Sequence, residues 1–203
     1  MIDQRIYLAS RSPRRRELLA QVGVRFDLLL FRLPPREDAE VSEDWLPGEA
    51  PEAYVQRVAR AKAVFAAGLM AHRSIVSRPV LAADTTLDVD GQIIAKPKDE
   101  ADAVVILTRL SGRGHRVLTA IAMARGERVL HRLSISEVRF RQLGAEEIRR
   151  YVQSGEPMDK AGAYGIQGRA AIFVEEIHGS HSGIVGLPLC ETALLLREFG
   201  YPL

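Results

Sequence analysis

The sequence predicts a single α/β or α+β domain built around a mixed β-sheet, and three observations carry that prediction. Short apolar runs, which are typical of buried strands, alternate with longer amphipathic segments, which are typical of helices. Some of these runs are joined by tight turns, at Asp90-Gly91 and Gly126-Glu127, whereas others are separated by a helical segment. Tight turns join antiparallel strands and helical crossovers join parallel ones, so both kinds of pairing are expected. A length of 203 residues allows one domain of generous size, or at most two small ones.

The chain opens with a predicted strand and a predicted helix whose ends are well marked. Residues 6–9 form a short apolar run that suits a buried strand. Ser12 is a favourable N-cap, Pro13 suits the first helical position, and Gly23 suits the residue just beyond a helix. These signals predict a helix over 14–22.

The remaining elements follow from periodicity and turn residues. Residues 52–69 are predicted to form a helix because apolar side chains recur there at steps of three and four. The apolar run 80–83 predicts a buried strand, and the stretch 87–94 predicts a hairpin around Asp90-Gly91. The other expected elements are helices over 99–110, 145–153 and 189–199, and strands over 117–124, 129–140 and 170–177.

Composition excludes several classes of protein. The chain is 47% hydrophobic and 27% charged, which is typical of an ordered globular protein and not of a disordered or collagen-like one. Its one cysteine, Cys190, excludes an intramolecular disulfide framework and a cysteine-based zinc cluster, and it fits a reducing compartment. No apolar run approaches the roughly 20 residues that cross a bilayer, and the first ten residues do not resemble a secretory signal. We therefore expect a cytoplasmic protein with no membrane partner.

Charge is segregated along the chain although the net charge is only +2. Residues 1–36 carry eight arginines against three acids, whereas residues 37–52 carry seven acids and no base. We interpret the acidic stretch as a solvated loop or a helix start rather than as a metal site. The basic start lacks interleaved aromatic residues on which bases could stack, so stable nucleic-acid binding is not expected.

The junction between the first strand and the first helix has the make-up of a phosphate site. Free N–H groups and the dipole at a helix N-terminus attract anions. Ser10 and Ser12 add hydroxyl donors there, and Arg14 and Arg15 add guanidinium groups suited to phosphate oxygens. Cations at a helix N-terminus oppose its dipole, so their crowding favours a bound anion. The alternative is that Ser12 only caps the helix and the arginines are only solvated.

Two further segments carry candidate groups. Asp84 follows the strand 80–83, where a carboxylate at the carboxyl end could bind a divalent cation or take a proton from an attacking water; the alternative is a turn or cap aspartate. Lys96 could neutralise phosphate charge. In the glycine-rich stretch from 155 to 186, Lys160 can pair with phosphate, and the amide of Gln167 suits the reading of a base edge.

Taken together, these segments resemble the Maf family of nucleoside triphosphate pyrophosphatases. The motifs that carry the resemblance are, in chain order, Leu8-Ala9-Ser10-x-Ser12-Pro13-Arg14-Arg15, Ala83-Asp84-Thr85, Lys96-Pro97, Leu110-Ser111-Gly112, Asp159-Lys160-Ala161-Gly162-Ala163-Tyr164-Gly165-Ile166-Gln167-Gly168 and Val185-Gly186-Leu187-Pro188-Leu189. No single motif is specific, but their combination and order are.

The resemblance implies a single α/β domain over residues 1–203, with an elongated mixed sheet flanked by helices and a central nucleotide cleft, usually as a homodimer. It implies hydrolysis of a nucleoside triphosphate substrate to the monophosphate and pyrophosphate, with a divalent metal cation, Mg²⁺ or Mn²⁺. The glycine-rich motif resembles the branch that acts on dTTP and UTP. The alternatives are the branch that acts on 7-methyl-GTP and, because the family is linked to arrest of septum formation, a non-catalytic regulator of cell division.

The resemblance also implies roles for individual residues. Asp84 matches the position of the proton acceptor for the attacking water and of a metal ligand. Arg14, Thr85 and Gln167 match positions tied to substrate choice. The phosphate- and substrate-facing positions are matched by Ser10, Arg15, Lys96 and Lys160. The family's second metal-binding acid follows its second strand, where this sequence has prolines, and Glu37 is the best candidate for it.

Overall fold

The structure, a computed structural model, describes residues 5–31 and 41–203, and a mixed sheet of seven strands organises these residues. The strands are β1 (Ile6–Leu8), β2 (Phe26–Leu28), β3 (Val80–Val89), β4 (Gln92–Ile94), β5 (Gly114–Arg125), β6 (Arg128–Phe140) and β7 (Val174–His178). The helices are α1 (Pro13–Gln21), α2 (Pro51–His72), α3 (Glu100–Leu110), α4 (Ala145–Val152), α5 (His181–Val185) and α6 (Leu189–Glu198). Short 3₁₀ turns lie at Glu156–Asp159, Ala161–Ala163 and Arg169–Phe173.

The sheet combines parallel and antiparallel pairs, as the connections along the sequence predict. The strand order is β2-β1-β3-β5-β6-β7, and β4 pairs with β3. β1 is parallel to β2 and β3, because helices α1 and α2 provide the crossovers, whereas β3 to β7 pair antiparallel. The predicted α/β domain with a mixed sheet flanked by helices is confirmed. Within the described ranges, no helix combines the length and the apolar character that crossing a membrane requires.

The sheet has an opening along one edge of β3. β5 pairs with β3 along its other edge, from Val80 to Asp88. On the open edge, β1 pairs only with Val80 and Leu81, and β4 pairs only with residues 87–89. Residues 83–86 therefore have no strand partner on this edge among the residues that the structure describes. The loop that leaves β1 and begins α1 lies at this opening.

The two faces of the sheet are covered by different parts of the chain. Alternate side chains of a strand point to opposite faces, and on β3 Val80 and Ala82 pack in the core cluster under α2, whereas Leu81, Ala83 and Leu87 pack in the larger cluster of the other face. The α2 interface is built largely from small side chains, which let the helix approach the sheet closely. These are Ala59, Ala63 and Ala66 of the helix and Ala82, Ala120, Ala122 and Ala124 of the sheet.

Most predicted elements are confirmed, and two are wrong in extent. The strand expected over 80–83 continues to Val89, so Asp84 lies inside β3 and not at its end. Its backbone pairs with Ala120 of β5 irrespective of the polar side chain. The strand expected over 170–177 begins only at Val174, because the residues before it form a 3₁₀ turn. The turn at Asp90-Gly91 is confirmed, with φ of 55° and 78° at its two central residues.

Candidate functional site

Arg15, in the first turn of α1, joins three separate segments at the open edge of β3. Its Nε donates to the carbonyl oxygen of Gly186 at 2.8 Å, its Nη1 to Ser10 Oγ at 3.2 Å, and its Nη2 to Thr85 Oγ1 at 3.2 Å. Burial lowers the pKa of Arg15, and the nearby carboxylate of Asp84 opposes that shift. A guanidinium nevertheless keeps its proton in proteins. A fixed positive charge therefore lies at the point where strand, helix and glycine-rich loop meet.

A chain of hydroxyl groups continues from Arg15 into the sheet. Thr119, which is fully buried, donates from Oγ1 to the carbonyl oxygen of Gly183 at 2.8 Å. Its oxygen lies 3.0 Å from Thr85 Oγ1. Because the Thr119 proton is already used, Thr85 donates to Thr119 and accepts from Arg15. The direction of every hydrogen bond in this series of hydroxyl groups is thus set, and the bonds hold the end of α5 and its C-cap, Gly186, against β3 and β5.

Asp84 points to the opposite face of the sheet, where a lysine of α2 binds it. Lys62 Nζ is 2.8 Å from Asp84 Oδ1 and 2.7 Å from Glu43 Oε1. Asp84 is only 7% exposed, and a carboxylate in such a place requires a partner of opposite charge. Asp84 Oδ2 makes no hydrogen bond to any residue in the described ranges, so this oxygen is available to a water or a ligand.

The segment that carries Glu43 is attached to the N-terminal half of α2. Tyr54 Oη donates to the carbonyl oxygen of Glu43 at 2.9 Å, and Arg57 Nη2 donates to that of Asp44 at 2.7 Å. Arg57 also pairs with the Glu49 carboxylate, Nε to Oε1, at 2.6 Å. Burial, and then the negative charges of Asp84 and Glu43, raise the pKa of Tyr54 to about 12. The described part of the acidic stretch, which we interpreted as a solvated loop or a helix start, is thus held on α2 by specific contacts, and these bring Glu43 to Lys62.

The glycine-rich segment meets the start of α1 through Asp159. Arg14 Nη2 is 3.8 Å from Asp159 Oδ2, and the ammonium of Lys160 is paired with Oδ1 of the same carboxylate. Lys160 also donates to the carbonyl oxygen of Glu156 at 2.6 Å. Two positive side chains from distant parts of the sequence therefore share one exposed carboxylate, which an incoming polyanion can replace as their partner.

Lys96 and Gln167 lie on segments attached to this one. Gly162 N donates to the carbonyl oxygen of Ala95 at 3.2 Å, which ties the residue before Lys96 to the glycine-rich segment. Gln167 lies in a tight turn closed by a 2.9 Å hydrogen bond from Gly168 N to Gly165 O. The side chains of Lys96 and Gln167 are exposed and bond to no other side chain in the part of the chain that the structure describes.

The carboxylates around Lys62 are suited to a hard divalent cation. Mg²⁺ is usually held by one or two carboxylates together with substrate phosphates and water. Asp84 and Glu43 supply two carboxylates that already share a cationic group. Within the described ranges no three His, Cys, Asp or Glu side chains form a cluster that could hold a metal ion by themselves. The residues present therefore fit a metal that binds together with a phosphate ligand.

The structure brings most of the candidate residues around the opening in β3. Ser10, Arg15 and Thr85 are in direct contact, and Asp84 adjoins them on β3. Arg14 and Lys160 meet through Asp159, whereas Lys96 and Gln167 lie on neighbouring segments. Glu37 lies outside the described residues.

Sequence reasoning missed Lys62 and Glu43. One signal for Lys62 was present: it is one of only four lysines among 28 basic residues, and it lies within the apolar periodicity of α2. Glu43 had no such signal, because it is one of seven acids in a short stretch.

Several known proteins are similar to this chain along almost its whole length. The family model described as Maf-like protein matches residues 5–199. The protein named dTTP/UTP pyrophosphatase of Aromatoleum aromaticum is 62% identical over 203 residues, covering 100% of this chain and 98% of that protein. Its namesake in Dechloromonas aromatica is 58% identical over 97% of this chain and 98% of that protein. Among solved structures, the Staphylococcus aureus Ham1 protein aligns over 96% of this chain and 97% of its own, with a TM-score of 0.48 and 17% identity. On the family match and these identities, the chain belongs to the Maf family.

Proposed function

We propose that this protein hydrolyses nucleoside triphosphates, with dTTP and UTP as the preferred substrates, to the monophosphate and pyrophosphate. The observation that carries the proposal is the setting of Asp84. This carboxylate is 7% exposed, lies at the opening in β3, and is held by Lys62, and its other oxygen has no partner among the residues that the structure describes. The relatives named dTTP/UTP pyrophosphatase, at 62% and 58% identity over almost the whole chain, support the substrate class.

The charges around the opening suit a triphosphate. Arg14, Lys96 and Lys160 lie on three segments that adjoin one another, and Arg15 adds a fixed charge at the base of the helix. At the start of α1, Pro13 has no N–H, and the N–H groups of Ser12 and Arg15 already donate to Ser10 Oγ and Ser12 Oγ. The cationic side chains stabilise the charge that develops on phosphate oxygens and on the leaving pyrophosphate.

In the proposed reaction, water attacks the α-phosphorus of the bound nucleotide. The bond from that phosphorus to the α–β bridging oxygen breaks, and pyrophosphate leaves with this oxygen. Asp84 Oδ2 accepts the proton of the attacking water, while Lys62 holds Oδ1 and so orients the carboxylate. Gln167 presents an amide to the base.

We also propose that a divalent cation, Mg²⁺ or Mn²⁺, binds at Asp84 and Glu43 together with the triphosphate. When bound, such an ion polarises phosphoryl oxygens and acidifies water. Glu37, which the sequence suggested as the second metal-binding acid, lies outside the described residues and stays a prediction.

Release of pyrophosphate from a panel of nucleotides tests the proposal. We expect release from dTTP and UTP with Mg²⁺ or Mn²⁺, slower release from the other common nucleotides and 7-methyl-GTP, and none after chelation of the metal. Preference for 7-methyl-GTP would assign the chain to the alternative branch. No release from any nucleotide, under conditions in which the protein is folded, would leave the non-catalytic regulator as the better account.

We propose, finally, that residues 1–203 act as one domain and that two copies associate as a homodimer, without stable binding of nucleic acid. Sedimentation at micromolar protein, with and without a DNA oligonucleotide, tests the association into a homodimer and the absence of nucleic-acid binding. A monomeric species throughout the concentration range would contradict the homodimer.

A further inference from the structure

We infer that Glu156 is a positioning residue which holds the turn from Gly165 to Arg169 and thereby sets the place of Gln167. The inference rests on the proposed function, because the reading of a base by Gln167 has meaning only if the protein binds nucleotides. Arg169 N and Tyr151 Oη bind the Glu156 carboxylate, and we assign it no contact with the phosphates or the attacking water. Its effect is on selection among bases.

The Glu156 carboxylate binds both sides of the turn. Oε2 accepts a hydrogen bond from Arg169 N at 3.0 Å, two residues after Gln167. Oε1 accepts from Tyr151 Oη at 2.9 Å, and this phenol oxygen in turn accepts from Gly165 N at 3.4 Å, two residues before Gln167. Gln167 therefore lies at the centre of a turn whose two ends are fastened, directly or through Tyr151, to one carboxylate.

The packing of the turn against Glu156 leaves little freedom. A Cβ atom added to Gly168 would lie 2.2 Å from Glu156 Oε1, closer than any real contact, so the carboxylate occupies the space that a side chain would need. The turn is also closed internally by the hydrogen bond from Gly168 N to Gly165 O at 2.9 Å. The backbone on both sides of Gln167 is thus held at contact distance from Glu156.

The same residue fixes Lys160. The carbonyl oxygen of Glu156 accepts from Lys160 Nζ at 2.6 Å, and the aliphatic part of Lys160 lies against Gly165, where an added Cβ would be 2.7 Å from Cε. Main chain and side chain of Glu156 therefore place two of the groups proposed to face the substrate. Removal of the side chain leaves the carbonyl contact to Lys160 in place, so the two effects can be separated.

The chemistry of these contacts predicts which substitutions are tolerated. Both partners of the carboxylate, a backbone N–H and a phenol, are neutral. Glu156→Gln can still accept from Arg169 N through its amide oxygen and donate to Tyr151 Oη through its amide nitrogen. Glu156→Ala leaves Arg169 N and Tyr151 Oη without these partners and opens space beside Gly168.

The test combines activity with an independent measurement of the turn. We expect Glu156→Ala to lower the ratio of kcat/KM for dTTP to that for GTP by about tenfold or more, since displacement of a positioning group by about 1 Å has effects of this size. Tyr151→Phe should lower the ratio in the same direction and by less, and Glu156→Gln should keep it within about threefold. Hydrogen exchange in the segment 164–171 should accelerate in Glu156→Ala and Tyr151→Phe. The control is Glu146→Gln, an exposed acid of the neighbouring helix α4 that pairs only with Arg149 within the described ranges.

The outcomes separate this inference from the proposed function. If the wild-type protein hydrolyses nucleotides but Glu156→Ala keeps the base ratio, the inference is wrong. If Glu156→Ala does not fold, Tyr151→Phe is the variant that tests the inference. An unchanged ratio of kcat/KM for dTTP to that for GTP in Tyr151→Phe overturns it. If the wild-type protein hydrolyses no nucleotide, the proposed function fails. Hydrogen exchange then still tests the role of Glu156, because unchanged exchange in the segment 164–171 of Glu156→Ala would show that Glu156 does not hold the turn.

Discussion

Lys62 Nζ lies between two carboxylate oxygens, 2.8 Å from Asp84 Oδ1 and 2.7 Å from Glu43 Oε1. This single ammonium joins helix α2, the interior of β3 and the acidic segment before α2. Its side chain is 15% exposed, so its charge is only weakly screened by solvent. The orientation of the Asp84 carboxylate, and hence the place of its free oxygen, depends on this contact.

Replacement of Lys62 by methionine tests that dependence. Lys62→Met keeps an unbranched apolar stem but removes the charge, so two carboxylates face one another without their shared cation. We expect pyrophosphate release from dTTP to fall at least about 100-fold, a loss typical of a missing electrostatic contact in a site closed to water. Lys98→Met, which changes an exposed lysine, is the matched control. A rate of pyrophosphate release by Lys62→Met within threefold of the wild-type rate would contradict the role that we assign to this contact.

The Thr119 hydroxyl is expected to matter for stability. Thr119→Val removes the donor to Gly183 O and the acceptor for Thr85, in a place that is closed to water. We expect the free energy of unfolding in urea to fall by about 1–3 kcal/mol, and by less in Thr119→Ser. The control is Thr108→Val, on the exposed side of α3, where the hydroxyl bonds only within its own helix. An effect of Thr119→Val no larger than that of the control would show that the hydroxyl groups of Thr85 and Thr119 do not hold α5 on the sheet.

Gln167 is expected to affect selectivity rather than rate. Its exposed amide makes no hydrogen bond within the described ranges, so Gln167→Ala removes a group that is free for a ligand without disturbing the fold. We expect the ratio of dTTP to GTP hydrolysis to fall while the melting temperature stays unchanged. Gln153→Ala, an exposed glutamine just beyond α4, serves as the control. A constant ratio would refute the reading of the base by Gln167.

His115 should make the fold sensitive to acid. It is buried beside Tyr164, with Nε2 2.8 Å from the phenol oxygen, and burial lowers the pKa of His115 to about 4. In the unfolded chain a histidine takes up its proton near pH 6.5. Between pH 6.5 and 4 the unfolded state therefore binds a proton that the folded state does not.

This difference predicts that the free energy of unfolding decreases as the pH falls through that window, by about 1.4 kcal/mol per pH unit from His115. His115→Phe should give a shallower dependence on pH between 6.5 and 4, measured by urea denaturation. His178→Phe, on the exposed strand β7, leaves His115 in place and should keep the steeper dependence. Equal slopes in the two variants would show that His115 is not responsible.

Sequence signals predicted the local parts of this structure well, for physical reasons that particular residues illustrate. Ser12 and Pro13 mark the start of α1 because capping depends only on neighbours in the chain, and Asp90-Gly91 closes its hairpin for the same reason. The apolar run ending at Ala83 predicted too short a strand β3, because the backbone beyond Ala83 continues to pair with β5. The polar residue Asp84 therefore belongs to the candidate site and does not mark the end of the strand.

The contacts of Asp84 could not be predicted in the same way. Lys62 and Asp84 are 22 residues apart and meet only when α2 packs across β3 through its alanine-rich face. Glu43 reaches Lys62 because Tyr54 and Arg57 hold its segment. Ser10, Arg15 and Thr85 were each singled out, but their mutual contacts depend on the gap between β1 and β4, which no local pattern encodes.

The role of Asp84 as proton acceptor is the central claim, and the rate of pyrophosphate release by Asp84→Asn tests it most directly. Asparagine keeps the shape and one acceptor oxygen but cannot take up the proton of water. With saturating dTTP and divalent metal, we expect release to fall by about 10²–10⁴-fold although the variant still binds dTTP. Asp90→Asn, in the exposed hairpin turn, controls for the loss of a carboxylate. Release by Asp84→Asn at the wild-type rate would contradict the account.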